Sequence, residues 1–106
     1  MATRKRRQFQ DVFSEVFSGT VVASVGIVAT QARGTQAVTV PGVLVSDVCI
    51  GVYASADPGS LIMYGKVTAA DTVTIVFENN TAGGITPPAS TTYSVIVGRV
   101  NLDILV

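Results

Sequence analysis

The feature that most constrains the fold is a stretch of alternating residues at positions 66–80, K-V-T-A-A-D-T-V-T-I-V-F-E-N-N. Val73, Ile75 and Phe77 fall on one side of an extended backbone, whereas the residues between them fall on the other. Period two with β-branched residues predicts a half-buried strand. The short segment 68–71 predicts a tight turn, so we expect residues 61–67 to return antiparallel beside the strand.

Similar patterns predict further strands at residues 20–30, 36–40, 48–54 and 91–106, separated by turns rich in Gly, Pro and Asp. In the last of them the inward phase changes at residues 98–99, which predicts a β-bulge or a crossing between sheets. With 106 residues there is room for one core. The chain therefore predicts an all-β fold, a small antiparallel β-sandwich or jelly-roll-like domain over residues 20–106.

A different spacing precedes these strands and predicts a short amphipathic helix. Apolar residues recur there at i, i+3, i+4, i+7 and i+8, which is a single helical stripe, and Ser18-Gly19 ends it. A helix of two or three turns needs a surface to lie on. That surface is either the domain's own sheet or a neighbouring subunit. The stripe consists of Phe9, Val12, Phe13, Val16 and Phe17.

The first seven residues are strongly basic, although the whole chain has no net charge. The remainder carries three basic residues against seven acidic ones. Residues 1–19 thus predict a basic N-terminal arm on a mildly acidic body. The arm could be an electrostatic anchor on an acidic protein, a solvated tail or a nucleic-acid contact. We favour the anchor and do not expect direct nucleic-acid binding, because no aromatic residue interrupts the charges. The basic residues are Arg4, Lys5, Arg6 and Arg7.

Few residues in the chain could carry chemistry. It has no histidine, one cysteine and seven scattered acids, so we expect no enzyme, no metal site and no cofactor. Cys49 lies in a predicted strand, where we expect a small buried apolar residue. Asn79-Asn80-Thr81 matches a glycosylation acceptor, which we interpret as a chance match.

The surface of the domain should be partly covered by other subunits, because only 13% of the residues are charged. The final residues Ile104, Leu105 and Val106 are apolar and predict either a closing strand or a subunit interface. The longest apolar run, at residues 20–29, is too short to span a bilayer, so we expect no membrane association.

Three segments of the chain resemble small virion proteins of tailed bacteriophages. They are residues 39–48 (T-V-P-G-V-L-V-S-D-V), residues 67–87 (V-T-A-A-D-T-V-T-I-V-F-E-N-N-T-A-G-G-I-T-P) and residues 92–99 (T-Y-S-V-I-V-G-R). Within that group the chain is similar to capsid decoration, or cement, proteins, which are compact β-sandwiches on the outer shell and often trimers. The resemblance covers about residues 20–100 and leaves the arm outside it.

The resemblance implies a structural protein that is made in the host cytoplasm and binds the outside of a phage capsid. It implies the major capsid protein as partner and a homo-oligomer, with a trimer favoured, and it makes the arm the candidate for gripping the shell. Two alternatives remain open. The chain could belong to a tail, fibre base or head–tail connector, or it could be a free carbohydrate- or ligand-binding module.

Overall fold

The computed structural model describes residues 12–100, and every element that it contains is a β-strand. Two antiparallel sheets of three strands each make up the fold: sheet I in the order β1-β6-β3 and sheet II in the order β2-β5-β4. The all-β prediction is therefore confirmed. The strands are β1 (Phe13–Ala23), β2 (Ala32–Thr39), β3 (Val48–Ala54), β4 (Ile62–Ala69), β5 (Thr72–Asn79) and β6 (Thr91–Val100).

The stretch at residues 66–80 forms the β4–β5 hairpin, as its alternation predicts. The connection is tight, and Asp71 adopts a positive φ of 61°, a conformation that Asp tolerates better than most residues. Val73, Ile75 and Phe77 are completely buried. β5 lies at the centre of sheet II, where both of its edges are paired, and its inner face is apolar up to the buried Asn79 at its end.

One buried cluster joins the inner faces of the two sheets. β6 is the central strand of sheet I and alternates between buried inner residues and partly exposed outer ones. The rings of Phe77 and Tyr93 meet edge to face, with their centroids 5.5 Å apart. Edge-to-face pairs of this kind add about 0.5–1.5 kcal/mol to the gain from burial. The strand residues of the cluster are Val38, Val67, Val73, Ile75, Phe77, Tyr93, Val95 and Val97.

The predicted amphipathic helix is wrong from Phe13 onward, and Val12 is the one described residue of the stripe that is helical. Phe13, Val16 and Phe17 lie in β1, which pairs with β6 along its whole length. Residues 13–19, which we assigned to the arm, are thus part of sheet I. The predicted first strand at residues 20–30 also ends early, at Ala23, and residues 24–31 form a loop that makes a single bridge from Val28 to Ile85.

The change of phase predicted at residues 98–99 is wrong, because β6 keeps its alternation through Val100 and the extra residues lie on the strands beside it. β1 shifts register between Phe13 and Glu15, so Ser14 is the extra residue there. β3 shifts between Cys49 and Gly51, so Ile50 is the extra residue. Each bulge reverses which face the flanking side chains occupy. Both bulges lie at the same end of sheet I.

The other strand boundaries agree with the sequence-based predictions to different degrees. β3 spans the predicted residues, whereas β2 begins four residues earlier than predicted and includes Arg33 and Gly34. The predicted inward row of β3 is partly wrong, because Val48 and Ile50 face outward beside the bulge while Val52 packs against the core. Residues 1–11 and 101–106 lie outside the described residues, and with them Arg4, Lys5, Arg6, Arg7, Phe9, Ile104, Leu105 and Val106.

Candidate protein-interaction surface

The outer faces of the two sheets differ in chemistry. The outer face of sheet II is mostly polar, although Ile62 is exposed at one end of it. Arg33 forms an ion pair of 2.9 Å with Glu78, and the hydroxyl of Tyr64 donates to the same carboxylate at 3.2 Å. Further along this face the hydroxyls of Thr68 and Thr74 are 2.8 Å apart. Side chains on this face therefore satisfy one another across the strands.

The outer face of sheet I carries an apolar patch at the end where the two bulges lie. Val16, Val48 and Ile50 are 49%, 47% and 43% exposed. The Phe13 ring and Ile50 Cδ1 occupy the space above Gly98, where a Cβ would collide with both. Because residue 98 is glycine, side chains from β1 and β3 can meet across the central strand. The apolar patch consists of Phe13, Val16, Val48, Ile50 and Ile96.

The predicted helical stripe is divided between two faces of sheet I. Phe13 and Val16 belong to the apolar patch, but Phe17 lies on the inner face and packs against the core. Its ring contacts the Gly42 backbone and lies 4.9 Å from the guanidinium carbon of Arg99. Val12 is half exposed just before β1. The stripe is therefore not a single docking face, and Phe17 has a structural role.

Sequence reasoning missed three residues of the apolar patch: Val48, Ile50 and Ile96. Val48 and Ile50 were expected to share a face with Val52, and the bulge at Ile50 reverses that assignment. Ile50 is followed by Gly51, and a glycine within a strand is one of the few local signs of a bulge.

At the same end of sheet I, but on the opposite face from the apolar patch, Arg99 and Asp47 form the main polar cluster of the described residues. The guanidinium donates two parallel hydrogen bonds to the carboxylate, at 3.0 and 2.9 Å, and two more to Glu15 and to the Gly42 carbonyl. The carboxylate also accepts from the Leu44 backbone N–H at 2.8 Å. The Asp47 side chain is only 1% exposed, so this pairing is what makes its burial tolerable.

The hydrogen bonds from Arg99 hold the pKa of the Asp47 carboxyl below its ordinary value, against the opposing effect of burial. The pKa of Arg99 is raised, chiefly by the same pairing. Asp47 therefore remains a carboxylate at neutral pH. Four of the five guanidinium N–H groups are used within the fold. The cluster ties the loop at residues 40–47 to β1 and β6 and has a structural role.

A shallow groove of about 410 Å³ lies over this cluster. Its polar floor is already paired, and Leu44 and Val45 expose half or more of their side chains beside it. The groove thus extends the apolar character of this end of the molecule. Its lining residues are Ser14, Leu44, Ser46, Asp47, Arg99 and Val100.

Cys49 faces inward from β3 and is half-buried. Its sulfur lies so close to Gly65 that a Cβ there would collide with it. Burial raises the pKa of the Cys49 thiol above its ordinary value. The side chain packs against the core, in agreement with the expected small apolar role.

Asn79 has no exposed surface, and its side chain is fully hydrogen-bonded. The amide nitrogen donates to the carbonyls of Val28 and Gly83, both at 2.8 Å. Its oxygen accepts from the backbone N–H and the hydroxyl of Thr81. A glycan on this nitrogen is incompatible with both donated bonds, so the acceptor pattern at residues 79–81 has a structural explanation.

Comparisons with known proteins place no constraint on this site. No protein-family model, no curated protein and no solved structure matches the chain. Within residues 12–100, no three side chains of His, Cys, Asp or Glu come together as a metal-binding group. The same part of the chain contains no helix with the length and apolar character needed to cross a bilayer.

Proposed function

We propose that this protein is a non-enzymatic structural subunit of a phage particle that binds the outside of the capsid and cements neighbouring capsid subunits. The observation that supports this most is the contrast between the two outer faces. Sheet II presents mostly internally paired polar side chains, with Ile62 as its one large exposed aliphatic side chain among the described residues, whereas sheet I presents the apolar patch. Apolar area gathered on one face is typical of a protein-interaction site.

The apolar patch can supply useful binding energy. Covering an aliphatic side chain completely contributes about 1.5–3 kcal/mol, so covering the exposed half contributes roughly 1 kcal/mol. Val16, Val48 and Ile50 together then contribute about 3 kcal/mol. An exposed ion pair made by the basic arm contributes about 0–1 kcal/mol. We therefore propose that the patch determines affinity for the capsid protein and that the arm adds to it.

The finer parts of the proposal follow from the resemblance. Under this proposal, the two sheets form a β-sandwich of the decoration-protein kind. The protein is made in the host cytoplasm and resides on the virion as a homo-oligomer. Residues 4–7 and Phe9 contact an acidic part of the capsid surface, and residues 104–106 contribute to an interface between subunits. The major capsid protein is the partner.

The test is to add purified protein to particles assembled without it and to measure the bound copies per particle. Ile50→Ser should weaken binding about fivefold, the effect of about 1 kcal/mol. Ile62→Ser is the matched control, because Ile62 is similarly exposed, at 50% against 43% for Ile50, but lies on the outer face of sheet II. Deletion of residues 2–8 removes the basic charges without touching β1. Equal binding by all variants would refute the proposed contact.

The same experiment separates the alternatives. Imaging of labelled particles should show label over the whole head, whereas label confined to one vertex or to the tail would favour a tail or connector component. A free carbohydrate-binding module receives no specific support, because Tyr53 and Tyr64 lie on the outer faces of different sheets and Tyr93 is buried. Specific glycan binding by the purified protein would favour that module.

A further inference from the structure

The four edge strands of the two sheets are protected to different degrees. β4 carries the exposed Lys66, and β2 carries Arg33, whose side chain is 68% exposed. β3 has only seven residues and contains a bulge. Charges, short length and bulges are the usual devices that prevent an edge from pairing with another strand. These three edges therefore carry such a device within or along most of their length.

β1 is the edge without effective protection. It has eleven residues, F-S-E-V-F-S-G-T-V-V-A, with no Lys, Arg or Pro. Its bulge lies near the beginning, and from Glu15 to Ala23 the pairing with β6 is regular. Its one charged residue, Glu15, already forms an ion pair with Arg99 at 3.2 Å. Among residues 12–100, only β6 pairs with it.

The inner row of β1 is also incompletely covered. Phe17 and Val21 point toward the core but remain only half-buried, whereas their partners on β6, Val97 and Tyr93, have no exposed surface. On the outer row, Val22 is 64% exposed. Both rows therefore offer apolar area that a further strand would cover.

We propose that β1 pairs antiparallel with β1 of a second copy of this chain, so that two copies of sheet I join into one six-stranded sheet. The sequence of β1 is self-complementary about Gly19. A two-fold axis there places Val16 opposite Val22 and Phe17 opposite Val21. Apolar and aromatic–β-branched pairs of this kind are favourable cross-strand neighbours. Such a contact is isologous, with the same patch used by both copies.

The same register suits the polar and charged residues. Ser18 lies opposite Thr20 of the other copy, a pair that can hydrogen-bond on the outer face. The two copies of Glu15 lie eight positions apart along the sheet, about 27 Å at about 3.4 Å per residue. They do not repel each other appreciably at that distance. A two-fold contact gives dimers and even-numbered assemblies and not the trimer that the resemblance favours.

The test measures the mass of the purified full chain by light scattering and native mass spectrometry. At about 100 µM, a Kd of about 10 µM would leave the protein mostly dimeric. Ser18→Lys places two ammonium groups diagonally across the contact and should weaken dimerisation at least tenfold. Ala37→Lys is the matched control, because Ala37 is exposed on the outer face of another edge strand, β2. It should leave the mass unchanged.

A charge exchange makes the test independent of folding defects. Ser18→Glu should also be monomeric, and mixing it with Ser18→Lys should give a heterodimer, which neither misfolding nor a different interface would produce. Val22→Lys is a second variant on the same edge and should weaken the dimer as well. The proposal would be overturned by a monomer at 100 µM, by a trimer, or by a dimer whose stability does not depend on the charge at residue 18.

The outcome is distinguishable from that of the proposed function. A dimer that fails to bind particles would refute the capsid role and leave the β1 contact intact. A monomer that occupies particles would refute the β1 contact alone.

Discussion

Asn79 offers the sharpest prediction about what holds the fold together. Its side chain joins the end of β5 to two loops through four hydrogen bonds, with the carbonyls of Val28 and Gly83 and with the N–H and hydroxyl of Thr81. Asn79→Ala removes all four. Asparagine is the side chain that fits, because two donors and an acceptor are needed within one short amide.

The stability lost in Asn79→Ala depends on which hydrogen-bonding groups keep a partner after the substitution. The Val28 carbonyl still accepts from the Ile85 N–H at 3.0 Å. The Thr81 hydroxyl, which lies 2.9 Å from the Gly83 carbonyl, can donate its one proton there once Asn79 is gone. The cost is therefore the net value of about three bonds, because the Thr81 hydroxyl exchanges one acceptor for another. At about 0.5–1.5 kcal/mol each, we expect a loss of about 2–4 kcal/mol. In a domain of this size that lowers Tm by about 10–25 °C.

The assay is thermal and urea unfolding followed by circular dichroism. Asn80→Ala is the control, because Asn80 is the exposed neighbour and uses only its backbone carbonyl, as acceptor from Gln31. It should unfold within about 0.5 kcal/mol of the parent. Asn79→Asp should be less stable at pH 7 than at pH 4, since a carboxylate at this position would face two carbonyl oxygens. If Asn79→Ala unfolds like Asn80→Ala, the argument from these bonds is wrong.

Three further predictions concern the core and the polar cluster. Because the pKa of Asp47 is depressed in the folded state, its contribution to stability is present above the unfolded pKa of about 3.9 and lost as pH falls through the folded value. The urea midpoint of the parent protein should therefore fall as the pH is lowered, and it should fall less steeply in Asp47→Asn. An equally steep fall in both proteins would contradict this. Gly19→Ala should lose about 1–3 kcal/mol in urea unfolding, because its Cβ would lie 2.6 Å from the Thr39 carbonyl oxygen. Gly83→Ala, with nothing within 4 Å, should be neutral. Tyr93→Phe should leave Tm unchanged or raise it, because the buried hydroxyl has no partner among the described residues, and a clear fall in Tm would contradict that.

The parts of the fold that the sequence predicts are those decided by neighbours along the chain. The β4–β5 hairpin needs only the alternation at residues 72–78 and a tight turn at Ala70 and Asp71, both of which are local signals. β3 is similarly bounded by turns. The helix prediction failed over residues 13–17 because the spacing of Phe13, Val16 and Phe17 fits a helical stripe, although these residues form part of a strand. The competing interactions, from Gly42 and Arg99 to the Phe17 ring, come from distant parts of the chain.

The candidate site was harder to predict for the same reason. Arg99 and Asp47 are 52 residues apart, and nothing near either residue indicates the pair. The apolar patch depends on the bulges at Ser14 and Ile50, each of which moves a side chain to the opposite face. Only the glycine after Ile50 could have suggested one of them. A single unrecognised extra residue is enough to reverse the interpretation of a strand face.

The two bulges also determine which changes in length this chain can tolerate. Removing Ser14 or Ile50 would remove the bulge and leave Phe13 opposite Val100 and Val48 opposite Gly98, so both side chains would stay on the outer face. Loss of that one residue therefore preserves which side chains of the strand end face solvent and which face the core, whereas loss of two residues exchanges them. During divergence, deletion of one residue at either bulge should be tolerated better than deletion of two.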